Sequence, residues 1–335
     1  MGIYRDADMP ACLNTRQKQE KWAKMLALKH SGIPAKKARG PGIQGCFSRT
    51  ILVILKNGEE AIIQFRVEPL DMEPFHLARK YLGPVVPEIR RLEDEEELKA
   101  AGIQIFWMNR IPGETWLRAL SGHGEGPIST ICKSLGRVLS KGHIEGSCDT
   151  VIDTNLRPHL EMIVSSSCPE IAPYQDLAKD LIGKLDQLKV LPLFISHFDM
   201  NAMNILVDKD FEVSGIVDWE LSSPLPFGVS VGGRIHSLAG EYHDRKFYMP
   251  ENFVESEEGL WQELFDGVPA DIRKTLDANI DVVQTAVMVG TLLDAFPIVD
   301  GKLIESFNPA VMHGLPKFVT YRIPPIRGSD APYSE

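Results

Sequence analysis

The sequence has little cysteine and no long hydrophobic run. Its 335 residues include five cysteines, and no two of them form a C-x-x-C pair. Such a sparse, odd set argues for reduced thiols and excludes a disulfide framework or a zinc knuckle. The longest apolar helical stretch, residues 282–293, is interrupted by Gln284 and Thr285. It falls short of the roughly 20 apolar residues that span a bilayer. The first residues form no apolar signal core, so we expect a cytoplasmic protein without a membrane partner.

Positive charge is also scarce. Lys and Arg total 36 against 46 for Asp and Glu, which gives a net charge of −10. A chain this acidic is repelled by phosphate backbones, so we expect no nucleic-acid partner. One segment departs from the balance, because residues 16–39 carry eight basic side chains against Glu20 alone. A solvated helix face followed by a connector explains that segment better than a nucleic-acid or membrane surface does.

The first third of the chain predicts a small sheet accompanied by helices. Hydrophobic and charged residues, at 44% and 24%, occur at the levels of a globular protein. Asn57-Gly58 lies between two β-rich runs and is a strong hairpin signal. The acidic run 93–97 is most simply a solvated turn. The predicted elements are a helix over 14–30, strands over 50–55 and 61–67, a helix over 74–82 and a strand over 103–108.

The second half of the sequence predicts mostly helices. At roughly 100–200 residues per domain, the length fits two compact units or one bilobal unit. A proline- and glycine-containing hinge at 109–113 separates the two parts. We therefore expect an α+β fold with a small antiparallel-sheet lobe followed by a larger helical lobe. The predicted elements are helices over 128–139, 176–188 and 271–296, and one hairpin of residues 204–207 and 213–217.

Three polar side chains lie at the ends of this hairpin and of the loop before it. They are Asp199, Asn204 and Asp218. A hairpin returns the chain to its starting point, so Asp218 can lie beside Asn204. Magnesium prefers oxygen ligands and usually binds one or two carboxylates together with substrate phosphates. Asp199 would remain able to orient an acceptor hydroxyl and to receive its proton.

The same segment carries a resemblance to a known family. His197, Asp199 and Asn204 fit the pattern H-x-D-x-x-x-x-N-I-L, and Asp218 begins the D-W-E of a family strand end written I-D-W-E. Over roughly residues 40–300 the chain resembles the aminoglycoside phosphotransferases and their choline-kinase-like and protein-kinase-like relatives. The sequences of residues 63–66 and 108–113 look most like those of the large fungal branch of these enzymes.

The resemblance implies a bilobal protein-kinase-like fold and an enzyme that uses ATP and Mg²⁺. The γ-phosphoryl group would pass to a hydroxyl of a small molecule, such as an amino alcohol or an aminoglycoside-like compound. Asp199 would position and deprotonate that hydroxyl, His197 would mainly brace the loop, and Asn204 and Asp218 would bind magnesium. Adenine would contact the hinge, at Met108, Asn109 and Ile111. The implied segments are an N-terminal helix and connector (1–39), a nucleotide-binding lobe (40–110), a catalytic and substrate-binding lobe (111–320) and a tail (321–335).

The first lobe departs from the family pattern. The family's strand lysine has no counterpart in residues 61–67, so Arg66 or Gln64 must take its place, and the two share a strand face. We favour Arg66, because guanidinium matches phosphate oxygens in a planar fork. The partner carboxylate is Glu73 or Glu68. A chain without the lysine could also be a catalytically inactive kinase-like binding or scaffold protein.

Two further features leave alternatives open. The glycine-bearing loop of residues 40–48, which ends at Ser48, could lay backbone N–H groups over phosphates or could be a plain connection. A second-lobe acidic stretch could be a solvated helix surface or could steer a cationic acceptor. Its members are Glu251, Glu255, Glu257, Glu258, Glu263 and Asp266.

Overall fold

The computed structural model describes most of the chain. The described residues are 3–42, 44–124, 126–232, 241–244, 246–299, 301–304, 307 and 309–328. The chain divides into two compact units. Unit 1 comprises Met1–Arg79 and Pro84–Pro112, and unit 2 comprises Lys80–Gly83 and Gly113–Glu335.

Unit 1 is built on a five-stranded antiparallel sheet with the strand order β1-β2-β3-β5-β4. Its strands are β1 (Ala35–Arg39), β2 (Ser48–Leu55), β3 (Glu60–Arg66), β4 (Ile89–Leu92) and β5 (Gln104–Asn109). It contains the helices α1 (Arg16–Ser31) and α3 (Glu96–Ala100), and α2 (Glu73–Leu82) belongs to it up to Arg79. The predicted hairpin is confirmed: β2 pairs with β3 from Ser48↔Arg66 to Ile54↔Glu60. Gly58 turns the chain with a φ of 92°, a value that glycine adopts without strain.

The first helix of the chain, α1, packs with this sheet. It begins after Thr15, whose hydroxyl accepts a hydrogen bond from Lys18 N at 3.4 Å, and it ends at a left-handed Gly32. Its inner face joins alternate residues of β2 and β3 in one apolar core. The core includes Ala23, Leu26, Ala27, Ile51, Val53, Leu55, Ile63 and Phe65.

Three elements of unit 1 differ from the sequence prediction. The expected connector forms the edge strand β1, in which only Ala38 is buried, so its apolar pattern is hidden among basic residues. Strand β4 was not predicted, because Arg90 and Arg91 separate its two buried residues. The acidic run contributes to the short helix α3 rather than to a plain turn, because Leu98 is buried there.

Unit 2 contains most of the helices. They are α4 (Trp116–Ala119), α5 (Ile128–Leu139), α6 (Asp149–Val151), α7 (Arg157–Ser165), α8 (Gln175–Lys184), α9 (Phe253–Asp266), α10 (Ala270–Ala278), α11 (Ile280–Ala295) and α12 (Pro309–Phe318). The expected helix over 176–188 ends as α8 at Lys184 and continues as 3₁₀ turns. The expected helix over 271–296 is two helices, α10 and α11, which meet at 86° around Asn279. No single helix of the described residues has the length and apolar composition of a membrane span, although this bent pair has them when taken together.

The strands of unit 2 are short. They are β6 (Glu114–Thr115), β7 (His143–Ile144), β8 (Leu193–Ser196), β9 (Ile205–Val207), β10 (Val213–Ile216), β11 (Ser223–Pro226), β12 (Glu241–His243), β13 (Lys246–Tyr248), β14 (Ile298–Val299) and β15 (Lys302–Leu303). The predicted hairpin is confirmed as β9–β10, with β6 on the outer side of β9. The expectation of one hairpin among helices was wrong, because β8 also forms a sheet between β7 and β11, and two further hairpins are present. Strands of two to four residues leave too little alternation to be seen in a sequence.

Candidate active site

The loop that carries Asp199 begins where the buried strand β8 ends. Two main-chain hydrogen bonds hold its turns: Met200 N donates to His197 O at 3.2 Å, and Asn204 N donates to Asn201 O at 3.0 Å. The loop then leads directly into β9. Its geometry is therefore fixed at both ends by strands.

Two amide side chains hold the Asp199 carboxylate. Asn204 Nδ2 donates to Asp199 Oδ2 at 3.0 Å and to Asp199 O at 2.8 Å. Asn201 Nδ2 donates to Asp199 Oδ1 at 3.0 Å. Each carboxylate oxygen thus accepts one amide hydrogen, which fixes the orientation of the group. Asn201 was not singled out from the sequence, although an amide two residues after a loop aspartate is a recognisable local partner.

Asn204 has its nitrogen committed and its oxygen available. Both hydrogen bonds of Nδ2 go to Asp199, while Oδ1 accepts no hydrogen bond within the part of the chain that the structure describes. The main chain brings Asp218 to the same place, because Val217 N donates to Asn204 O at 2.9 Å. The structure thus brings Asp199 and Asn204 into direct contact, and the residue before Asp218 is bonded to Asn204.

The backbone of Asp218 has an unusual conformation. Its φ of 69° and ψ of 54° lie in the left-handed region, which non-glycine residues seldom occupy. Aspartate tolerates this region better than most residues do, but the conformation still costs on the order of 1 kcal/mol. The residue is exposed at the end of β10. An exposed carboxylate held in a strained turn is typical of a functional position.

His197 lies beneath the loop. Its side chain is 2% exposed, and Nε2 donates to Val217 O at 2.8 Å, since a carbonyl oxygen can only accept. Its ring contacts Trp219 edge to face at 4.7 Å between centroids. Trp219 in turn donates from Nε1 to Ile216 O at 2.8 Å. This arrangement fits a brace between the loop and the end of β10, while the part that His197 plays in turnover stays a prediction.

The chemistry of the donor set suits a hard divalent cation. Two carboxylates and one amide offer oxygen ligands only, which magnesium prefers. No cluster of three His, Cys, Asp or Glu side chains suited to a metal occurs among the described residues. Any magnesium site here would therefore rest on the mixed carboxylate and amide set that the sequence indicates.

The candidate phosphate-binding residues of unit 1 share one face of the sheet, as strand alternation predicts. Ser48 stands opposite Arg66 in the β2–β3 register. Gln64 Nε2 donates to Ser48 Oγ at 2.9 Å. The Arg66 side chain is buried, at 5% exposed.

The other candidate nucleotide-binding residues lie at the start of α2 and at the end of β5 or just after it. Glu73 is exposed in the first turn of α2, where Asp71 Oδ1 accepts from Glu73 N at 3.0 Å and so supplies the local cap. Met108 and Ile111 are buried. Asn109 pairs with Glu88, since Asn109 N donates to Glu88 O at 3.3 Å and Asn109 Oδ1 accepts from Glu88 N at 2.6 Å. The Asn109 amide is therefore already engaged within the unit.

The second-lobe acidic stretch is largely paired within unit 2. Glu255 accepts from Ser129 Oγ at 2.8 Å, and hydrogen bonds from Ser129 and Lys133 lower its pKa. The buried Glu257 accepts from Tyr321 Oη at 2.6 Å. Glu263 and Asp266 form ion pairs with arginines. Glu255, Glu263 and Asp266 thus have basic partners, whereas Glu257 accepts from a neutral hydroxyl, and the side chains of Glu255 and Asp266 are 64% and 54% exposed. The solvated surface and the acceptor-steering field both stay predictions.

Comparisons with known proteins agree with this geometry. Residues 68–229 match the sequence pattern described as the phosphotransferase enzyme family. No curated protein is a significant match to the chain.

Two solved structures share the fold. The macrolide 2′-phosphotransferase of Brachybacterium faecium is 12% identical, and the likeness covers 84% of this chain and 99% of that chain with a TM-score of 0.53. The Plasmodium vivax ethanolamine kinase is also 12% identical, with 91% of this chain and 88% of that chain covered and a TM-score of 0.54. These likenesses confirm the predicted α+β, protein-kinase-like fold, while the likeness to a fungal branch stays a prediction.

Proposed function

We propose that this phosphotransferase, whose residues 68–229 match the phosphotransferase enzyme family, transfers the γ-phosphoryl group of ATP. The acceptor is a hydroxyl group of a small molecule, and the reaction depends on Mg²⁺.

One observation carries the proposal. Asn204 donates both hydrogen bonds of its amide nitrogen to Asp199 and keeps Oδ1 available, at the point where the hairpin returns the chain to Asp218. Two carboxylates and one amide oxygen at the end of a short hairpin are the ligand types that bind magnesium beside phosphate groups.

In the proposed mechanism, Asp199 orients the acceptor hydroxyl and takes its proton. The new bond forms between the acceptor oxygen and the γ-phosphorus, while the bond from that phosphorus to the β–γ bridging oxygen breaks and ADP leaves. The amides of Asn201 and Asn204 hold the carboxylate in place during proton transfer. Asn204 and Asp218 would hold magnesium, whose charge offsets that of the phosphate oxygens.

Unit 1 would bind the nucleotide. We assign the phosphates to Arg66, supported by Gln64 and Ser48, because these side chains share one sheet face. Adenine would contact the segment from Met108 to Ile111, where Asn109 acts through its pair with Glu88. The candidate carboxylate partner of Arg66 stays Glu73 or Glu68, and the charge of Arg66 is among the causes that lower the pKa of Glu68.

The structures that share the fold indicate only a broad class of acceptor. One is named for a macrolide and another for ethanolamine, and both types of compound offer a hydroxyl group. We propose an amino alcohol or an aminoglycoside-like compound as the first acceptors to assay. Ion pairs engage Glu255, Glu263 and Asp266 of the acidic stretch, so neutral alcohols belong in the same panel as cationic acceptors.

A thermal-shift titration tests the nucleotide and metal requirement. A ligand at a hundredfold excess over its Kd stabilises the folded state by about 2.7 kcal/mol. We expect ATP to raise the melting temperature only when Mg²⁺ is present, and we expect ADP release in the presence of a hydroxylated acceptor. A shift of the melting temperature without ADP release, either with any acceptor or by hydrolysis of ATP in water, would instead favour the inactive binding protein.

A further inference from the structure

Helix α5 contacts the strand that leads to Asp218. The Ser134 side chain is 4% exposed, and its Oγ accepts a hydrogen bond from Val213 N at 2.8 Å. Val213 is the first residue of β10. Arg137 lies one turn further along the same face of α5 and donates from Nη2 to Glu212 Oε2 at 2.6 Å. The first residue of the returning strand and the residue before it are thus both bonded to one helix.

Helix α5 is itself held firmly by α9. Gly136 packs so closely on α9 that a Cβ added there would lie 2.4 Å from Leu260 O. Ser129 donates to Glu255, and Arg137 Nη1 donates to Glu263 Oε1 at 3.0 Å. Arg137 therefore connects the hairpin to α9 as well as to α5. The helix pair is a rigid support for whatever α5 contacts.

The β9–β10 hairpin is too small to fix its own position. Its strands have three and four residues, and its neighbour β6 has two. Two-stranded hairpins are at best marginally stable alone in water. The turn is well defined, because Asp208 Oδ1 accepts from Asp210 N at 2.8 Å and from Glu212 N at 3.0 Å. The β9–β10 register shifts between Val213 and Gly215. The placement of the hairpin thus depends on external contacts.

Building on the proposed function, we propose that Ser134 is a positioning residue for the magnesium ligands Asn204 and Asp218. Its hydroxyl fixes the start of β10, and the pairing of β9 with β10 carries that placement to the other end of the hairpin, where Val217 N bonds to Asn204 O. Without the hydroxyl, the buried N–H of Val213 has no acceptor at this position and the strand moves to find one. Arg137 supports the same placement from the exposed side.

The test compares two serines of the same helix. Ser134→Ala removes the contact to the hairpin, while Ser129→Ala removes a buried hydroxyl that contacts α9 instead. The probe is Mn²⁺ in the presence of ADP, with free Mn²⁺ followed by electron paramagnetic resonance. We expect Ser134→Ala to raise the Kd of Mn²⁺ about fivefold to tenfold, the effect of losing one hydrogen bond. Ser129→Ala should stay within about twofold of the parent, and Ser134→Thr should restore binding.

A second pair of variants covers the case in which Ser134→Ala does not fold. Glu212→Gln weakens the bond from Arg137, and Glu255→Gln weakens the matched pair with Lys133 on the same helix. We expect a roughly twofold rise in the Mn²⁺ Kd for Glu212→Gln only, because exposed ion pairs contribute little.

The outcomes separate two failures. If each hairpin variant binds Mn²⁺ like its matched control, while the parent binds it and Asp218→Ala does not, the positioning role is wrong and the proposed function stands. If the parent binds no Mn²⁺ with ADP, the proposed function fails and this inference fails with it.

Discussion

At the scale of single residues, Asp218 combines strain with exposure. It is one of three non-glycine residues with a positive φ within the described ranges. A sequence selected for stability alone would place glycine at such a position, since glycine adopts this conformation without strain. The retained side chain therefore indicates a use for the carboxylate.

Two substitutions at residue 218 separate strain from function. Asp218→Gly should melt at or above the temperature of the parent, and Asp218→Ala should be about 1 kcal/mol less stable than Asp218→Gly. Both should lose the Mg²⁺-dependent shift with ATP, because neither retains a carboxylate. Urea denaturation and the thermal-shift titration measure the two effects. An Asp218→Gly variant that kept the full shift would show that this carboxylate binds no metal.

His159 supplies a pH-dependent contribution to stability. It is half-buried on α7 and donates from Nε2 to Phe296 O at 2.7 Å. Burial lowers its pKa below the ordinary value of 6.5, and the bond to Phe296 offsets this only in part. The unfolded chain therefore binds a proton more readily, so this contribution is complete above pH 6.5 and is lost as the pH falls through the lower pKa of the folded state.

The His159→Gln variant tests this assignment, because glutamine retains a donor without titrating. Between pH 7.5 and 5.5 the parent should lose stability with a slope from His159 of at most about 1.4 kcal/mol per pH unit. The variant should lose less over that range, as followed by urea denaturation at each pH. Parallel curves for the two proteins would assign the pH dependence to other groups.

At the scale of elements, the sequence was informative where one pattern decided the structure. The Asn57-Gly58 signal gave the β2–β3 hairpin, and apolar spacing gave α1, α2 and α5. Strand β1 was missed, because an edge strand that carries lysines shows no alternation. The break at Asn279 was missed because apolar residues continue on both sides of it. Such features depend on tertiary packing, which local patterns do not contain.

The contact between α5 and α9 gives a prediction at this scale. Gly136→Ala should destabilise the protein by about 2 kcal/mol, because the added methyl meets the main chain of α9. Gly183 in α8 is the matched control, since a Cβ added there would have no neighbouring atom within 4 Å among the described residues outside its own helix turn. Gly183→Ala should raise stability by about 0.5–1 kcal/mol through helix propensity. Equal effects in urea denaturation would contradict the close packing of the two helices.

At the scale of the whole molecule, the predictable part of the site is the part that is local in sequence. Asp199 and Asn204 belong to one loop, so their contact follows from short-range geometry. The support behind them is distant: Ser134 and Val213 are 79 positions apart, and Arg137 and Glu263 are 126 apart. No spacing rule connects such pairs. The same reason explains the acidic stretch, whose partners lie on α5 and α10 and at Tyr321.

The transfer reaction itself provides the most direct test of the proposed function. The rate of ADP formation with ATP, Mg²⁺ and a panel of hydroxylated acceptors is compared for the parent, Asp199→Asn and the exposed surface control Asp176→Asn. We predict that Asp199→Asn lowers turnover by about 10³-fold, since a positioned base contributes about 10²–10⁴-fold. The fold should be retained with a slightly lower melting temperature, since the new amide accepts only one of the two hydrogen bonds that the carboxylate accepts. The control should match the parent. An Asp199→Asn variant that turns over at the parent's rate would contradict the assignment of this loop as the catalytic centre.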